Sequence, residues 1–302
     1  MFLNKLYSEY MKHHAFGYAL YHPTLNSAIN IGACGYFDES DNWNPIGNIA
    51  DQDFTSKFGL DPIDKEELEQ APTDKGTTWD CLLAAGTKGR VFSIEARATL
   101  MGIPVGAKAG IEYTSESKFG AVLVPLPPIH HDAYYFMSPF QDWVCENAAA
   151  LMKSKVGKDV REHGLCIITQ TYATPKCTMT AWNRQNGSVS IGFDVKAKEG
   201  IKLGIDTRWY EGKSVEGWRS YEAEGDDLRV VFVGGLRCTF RKEPWATIAG
   251  IVRSKKTLRG TRGTQEPLYA LGSEEENEGY KIECELYGEV ARPRKEDPPE
   301  RS

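Results

Sequence analysis

The sequence contains no run approaching the ~20 apolar residues that a membrane-spanning helix needs. It has no surplus of positive charge: 36 Lys and Arg stand against 42 Asp and Glu, a formal net charge of -6. That balance argues against a dedicated nucleic-acid binder, and no nucleic-acid partner is expected. None of its seven cysteines forms a CxxC pair, and the number is odd. A complete disulfide framework and a zinc site are therefore disfavoured. Residues 1–14 carry Glu9, Lys12, His13 and His14 where a secretory signal would have an apolar core, so reduced thiols and a cytoplasmic location are expected. No GxSxG elbow, P-loop or dinucleotide fingerprint following a strand is present. The expectation is a protein that is not an enzyme and carries no cofactor. The acidic stretch 38–45 lacks the glycine and closing glutamate of a calcium loop, so no metal is expected there.

What is present suffices for a core. The 302 residues are 41% hydrophobic and 26% charged, in the range of ordinary globular proteins. Two stretches dominate. In residues 91–113, Phe92, Ile94, Ala96, Ala98 and Leu100 alternate with Ser93, Glu95, Arg97 and Thr99. After Gly102, Ile103, Val105, Ala107, Ala109, Ile111 and Tyr113 alternate with Gly106, Lys108, Gly110 and Glu112. Residues 189–209 repeat the design: Val189, Ile191, Phe193, Val195 and Ala197, then Ile201, Leu203, Ile205, Thr207 and Trp209 after Glu199-Gly200. Side chains alternate faces along a strand, so each stretch reads as a hairpin with one apolar and one charged face. Each arm is about 10 residues, roughly the length a tilted strand needs to cross hydrocarbon. Packing on the core of a water-soluble protein explains the same alternation.

The rest of the chain supplies the frame. Residues 1–14 read as an amphipathic helix, with Leu3, Leu6, Tyr7 and Tyr10 on one face and Lys5 and Lys12 elsewhere. Strands are expected over 28–37, 78–85, 117–128, 165–174, 177–182, 227–241 (broken at Gly234-Gly235) and 280–287. Residues 38–45 read as a polar loop bearing Trp43, a candidate interface anchor. Residues 51–75 read as an acidic loop with a short helix, and His130-His131 as part of a solvated loop. A long helix over 140–163 carries Lys153, Lys155, Lys158 and Arg161 in its second half. These cations complement the helix dipole or meet acidic lipid. Beyond 242 comes a basic linker, then an acidic, partly disordered segment ending in a Pro-rich tail.

The order of elements is an N-terminal helix, a strand, a long hairpin, a lysine-rich helix, a strand pair, a second long hairpin and a closing strand. That order resembles the pore-forming domain of gasdermins, nearest to the short fungal gasdermin-like regulators of cell death. The resemblance covers about residues 1–242. It is carried by 1–2, 91–124, 140–163, 165–182 and 228–241. It implies an α+β fold: a twisted, mostly antiparallel sheet with two long amphipathic hairpins, and with an N-terminal and a basic helix packed on it. Residues 243–302 would be a regulatory extension, open to an activating protease. The family implies binding to acidic phospholipids through Lys5, Lys12, Trp43, Lys153, Lys155, Lys158 and Arg161. It implies homo-oligomers, or hetero-oligomers with allelic variant chains. It also implies insertion of Phe92, Ile94, Leu100, Ile103, Val105, Ile111, Val189, Ile191, Phe193, Val195, Ile201, Leu203 and Ile205. The resulting lytic death, of the heterokaryon-incompatibility type, would move the protein from the cytoplasm to the plasma membrane. The alternative reading is a soluble binding module for an apolar ligand or protein partner.

Overall fold

A computed structural model describes residues 2–93, 109–183, 188–194, 208–209, 218–255, 267–272, 274 and 277–287. The chain opens with α1 (Leu3–Met11), a 3-10 turn over Lys12–His14, then β1 (Tyr18–Leu25), β2 (Ala33–Phe37), β3 (Trp43–Asn48) and α2 (Gln52–Phe58). It continues through β4 (Asp74–Thr77), β5 (Leu82–Leu83), β6 (Thr87–Ser93), β7 (Ala109–Ser115), β8 (Gly120–Pro125) and β9 (Ile129–Ala133). Helices α3 (Ser138–Lys153) and α4 (Gly157–His163) precede β10 (Leu165–Thr174), β11 (Lys176–Trp182), β12 (Ser188–Asp194), β13 (Arg208–Trp209) and β14 (Arg219–Glu222). The chain then forms β15 (Arg229–Glu243), α5 (Trp245–Lys255), β16 (Leu268–Leu271) and β17 (Gly279–Tyr287). The fold is α+β, with mostly antiparallel sheets and few helices.

Two compact units emerge. The first comprises Met1–Ala28, Asp74–His131 and Tyr172–Val233. It holds two four-stranded sheets, β14-β11-β8-β5 and β13-β12-β7-β6. Its core gathers Tyr7, Met11, Phe119, Leu123, Met179 and Phe232. Helix α1 contributes Leu6, Tyr7 and Met11 to this core, while Lys5, Glu9 and Lys12 stay in water. The helical period thus separates an oily stripe from a charged one.

The second unit comprises Ile29–Thr73, Asp132–Thr171 and Gly234–Ser302. Its strands follow the order β16-β17-β15-β10-β2-β3. Helix α3 lays Phe140, Trp143, Val144, Ala148, Leu151 and Met152 into a core shared with Leu165, Ile167, Leu236 and Ile282. The same helix clamps the acidic segment: Trp143 Nε1 donates to the Asp61 carbonyl at 2.8 Å, and the Asn147 carboxamide bonds both Asp61 N (2.7 Å) and Asp61 O (3.2 Å).

Several expectations are corrected. The single helix over 140–163 is two, because Ser154 is extended and caps α3. A Cβ at Gly157 would sit 2.2 Å from the Met152 carbonyl, so a glycine suits the tight joint there. Residues 43–48 form a strand rather than the end of a loop, and residues 129–133 pair as β9 rather than forming a solvated loop. The break expected at Gly234-Gly235 is absent, and β15 runs through it. These glycines permit close approach instead: added Cβ atoms would lie 2.2 Å from the Gln170 side chain and 2.0 Å from the Ile167 carbonyl. The 242/243 boundary falls inside β15, where Lys242 pairs Tyr280 and Glu243 pairs Gly279.

Candidate functional site

The candidate site is the sheet β13-β12-β7-β6, which sets the described ends of the two alternating stretches side by side. Strand β7 is shared in register: it pairs β6 on one side and β12 on the other. One set of cross-strand rows contains Gly89–Tyr113–Val189, Val91–Ile111–Ile191 and Ser93–Ala109–Phe193–Trp209. The intervening rows contain Arg90–Glu112–Ser190 and Phe92–Gly110–Gly192, and Asp194 pairs Arg208. Residues directly opposite on antiparallel strands share a face. The apolar phases of β7, β12 and β13 therefore coincide in register.

Strand β6 departs from this agreement. Phe92 was expected on the face of Ile111, yet its row holds Gly110 and Gly192, and Val91 pairs Ile111 instead. The physical reason is the period of two: a one-residue slip exchanges the faces of a whole strand. Val91 and Phe92 are both apolar, so the sequence permits either phase.

The base of the first hairpin is anchored at Tyr113. Its ring is buried against Trp218 at 6.0 Å, and its hydroxyl lies 3.5 Å from Cys81 Sγ. Burial pushes the pKa of this phenol well above its ordinary value and pushes the Cys81 thiol up to about 11. Ser115 Oγ donates to the Phe119 carbonyl at 2.6 Å, closing the turn into β8. Trp218 was missed by sequence reading, since a lone tryptophan outside any periodic run gives no signal.

Of the residues expected to insert, Phe92, Ile111, Val189, Ile191 and Phe193 lie in this sheet. Ile94, Leu100, Ile103, Val105, Val195, Ile201, Leu203 and Ile205 lie outside the described residues. A scan of protein-family models found no match, and a search of curated proteins found no relative. The site is therefore read from its own chemistry.

The basic residues divide between the units. Lys5 and Lys12 are exposed on and after α1 in the first unit. Lys153, Lys155, Lys158 and Arg161 are exposed along and between α3 and α4 in the second. Lys155 Nζ sits 5.4 Å over the Phe58 ring. Trp43 is half-buried on β3, its ring 5.2 Å from Phe37 and close beneath Gly35. Its place is a strand surface rather than a loop tip. Among the described residues, no helix is long and apolar enough to cross a membrane, and no three His, Cys, Asp or Glu side chains converge as a metal site. His131 stacks flat on Tyr172 at 4.2 Å.

Proposed function

We propose that this protein is a pore-forming protein of the gasdermin type and not an enzyme. The supporting observation is the pairing of β7 with β12, which sets the two hairpin bases edge to edge with apolar rows aligned. Such a ribbon is suited to continue into lipid as one four-stranded piece. In this reading the finer fold is a gasdermin-like sheet whose two long hairpins extend beyond the described bases.

Oligomerisation follows from hydrogen bonding. Four strands cannot close a barrel, and an open edge in hydrocarbon leaves N–H and C=O groups unpaired at several kcal/mol each. Among the described residues the edges are β6 and β13. A spanning form must share its barrel among many copies, of this chain or of allelic variants of it. The exposed lysines would bring it to acidic phospholipid, each worth about 1 kcal/mol near an anionic leaflet. The cytoplasmic protein would thus move to the plasma membrane and lyse the cell, as in heterokaryon incompatibility. The regulatory role belongs to the C-terminal segment, from which α5, β16 and β17 bury Ile248, Ala270, Tyr280 and Ile282. A protease cutting between α5 and β16 would uncouple that cover.

Release of a trapped dye from liposomes, with and without acidic lipid, tests the proposal. Leakage confined to acidic vesicles is expected. Intact vesicles for both the full-length and trimmed chains would instead favour a soluble binding module.

A further inference from the structure

Four of the seven cysteines meet in the second unit: Cys145 of α3, Cys166 of β10, Cys238 of β15 and Cys284 of β17. Cys238 and Cys284 are direct cross-strand partners. Directly opposed residues of antiparallel strands have Cα atoms about 4.5–5.5 Å apart. A disulfide requires roughly 4.4–6.8 Å. Both residues are free thiols, and their sulfurs are hydrogen-bonded to each other.

Access is uneven in a useful way. Cys238 is fully buried. Cys284 is half-buried, and its neighbours Glu283 and Glu285 are exposed. Among the described residues, strand β16 pairs β17 as far as Leu268–Ile282, two residues short of Cys284. We propose that Cys238 and Cys284 form a reversible modification site, a cross-strand disulfide made by hydrogen peroxide, which fastens strand β17 to β15.

The chemistry suits the two positions. The Cys238 hydrogen bond holds the Cys284 thiol below its ordinary value, whereas the same bond and burial push Cys238 well up. Burial pushes Cys145 and Cys166 up to about 12. Cys284, half-buried where Cys238 is fully buried, is the sulfur a peroxide reaches first, and access together with thiolate character governs oxidation. The Cys284 thiolate attacks one peroxide oxygen. The O–O bond breaks, a sulfenic acid forms, and the departing hydroxide takes a solvent proton to become water. The Cys238 sulfur then attacks the sulfenic sulfur, and the sulfenic oxygen leaves with the Cys238 proton as a second water. Two thiols are oxidised and one peroxide is reduced to two waters.

The test uses the full chain treated with hydrogen peroxide, followed by thiol blocking and peptide mapping without reductant. The expected result is one cross-linked peptide pair containing Cys238 and Cys284, reversed by dithiothreitol and retained in Cys145→Ser. Amide exchange over 279–287 should slow at least about tenfold in the oxidised form. Cys238→Ala should abolish the cross-link; if that variant fails to fold, the wild-type map alone decides. A Cys145–Cys284 bond, a sulfinic acid at Cys284 beside a free Cys238, or unchanged exchange after cross-linking would each overturn the proposal.

Discussion

The two units differ in what they carry. The first holds the described ends of the two alternating stretches, where rows of apolar residues are aligned on paired strands. The second holds the lysine-bearing helices, whose own apolar faces are consumed by its core. Helix α3 shows this directly: its oily side is taken up by Leu165, Ile167 and Ile282, leaving Lys153 outside. Under the proposed function, entry into lipid falls to the first unit and capture by lipid to exposed lysines of both, so the two steps can be broken separately.

The largest effect is expected at the hairpins. Ile191→Lys should abolish dye release while liposome pelleting persists, because a lysine on the lipid face costs up to about 2–4 kcal/mol, according to depth, in every copy of the ring. Phe92→Lys, on the opposite row, should leave substantial release. Equal loss in both would show that the row assignment has no bearing on insertion. Next, Leu151→Ala should lower unfolding stability by about 2–5 kcal/mol, since it opens a cavity in the second core. Denaturant titration measures the loss, and peptide-resolved exchange should place it in the second unit.

Reversing Lys153, Lys155 and Lys158 to Glu should weaken binding to acidic liposomes by at least about 3 kcal/mol at low salt. Unchanged pelleting would remove these residues from the lipid contact. The smallest effect concerns acid. Burial holds His14 and His22 of the first unit below the ordinary histidine value. The unfolded chain then binds protons first, so stability present above that value falls as pH drops through it. In the second unit the Lys242 ammonium, 2.5 Å away, holds Glu278 below the ordinary carboxylate value. Its contribution is present above that ordinary value and is lost only as pH falls through the lowered one. Exchange at stepped pH should therefore loosen peptides around residues 14 and 22 before those around 278.

Residues with strong periodic signals were readable from the sequence. Strand β10 spans Leu165–Thr174 as expected, and β11 and β17 lie within a residue of expectation. Strand β1 went unnoticed because His22 and Pro23 interrupt its pattern; the pairing with β15 is itself irregular between Ala19 and Thr24. A proline on such a strand belongs at a bulge or edge. The α3–α4 joint and the run through Gly234-Gly235 depend on which atoms approach a glycine, and one-dimensional patterns do not carry that. The basic residues of the candidate site were legible as types. Their division between two units was not, because only tertiary packing assigns a helix to a core.

The fastening of the acidic segment to α3 has a wider consequence. Trp143 and Asn147 grip the peptide groups of residue 61 and make no use of its carboxylate. Substitution there can change charge and size freely, provided the newcomer brings an amide hydrogen. Proline alone is barred, so this latch tolerates drift in spelling while holding its place in the chain.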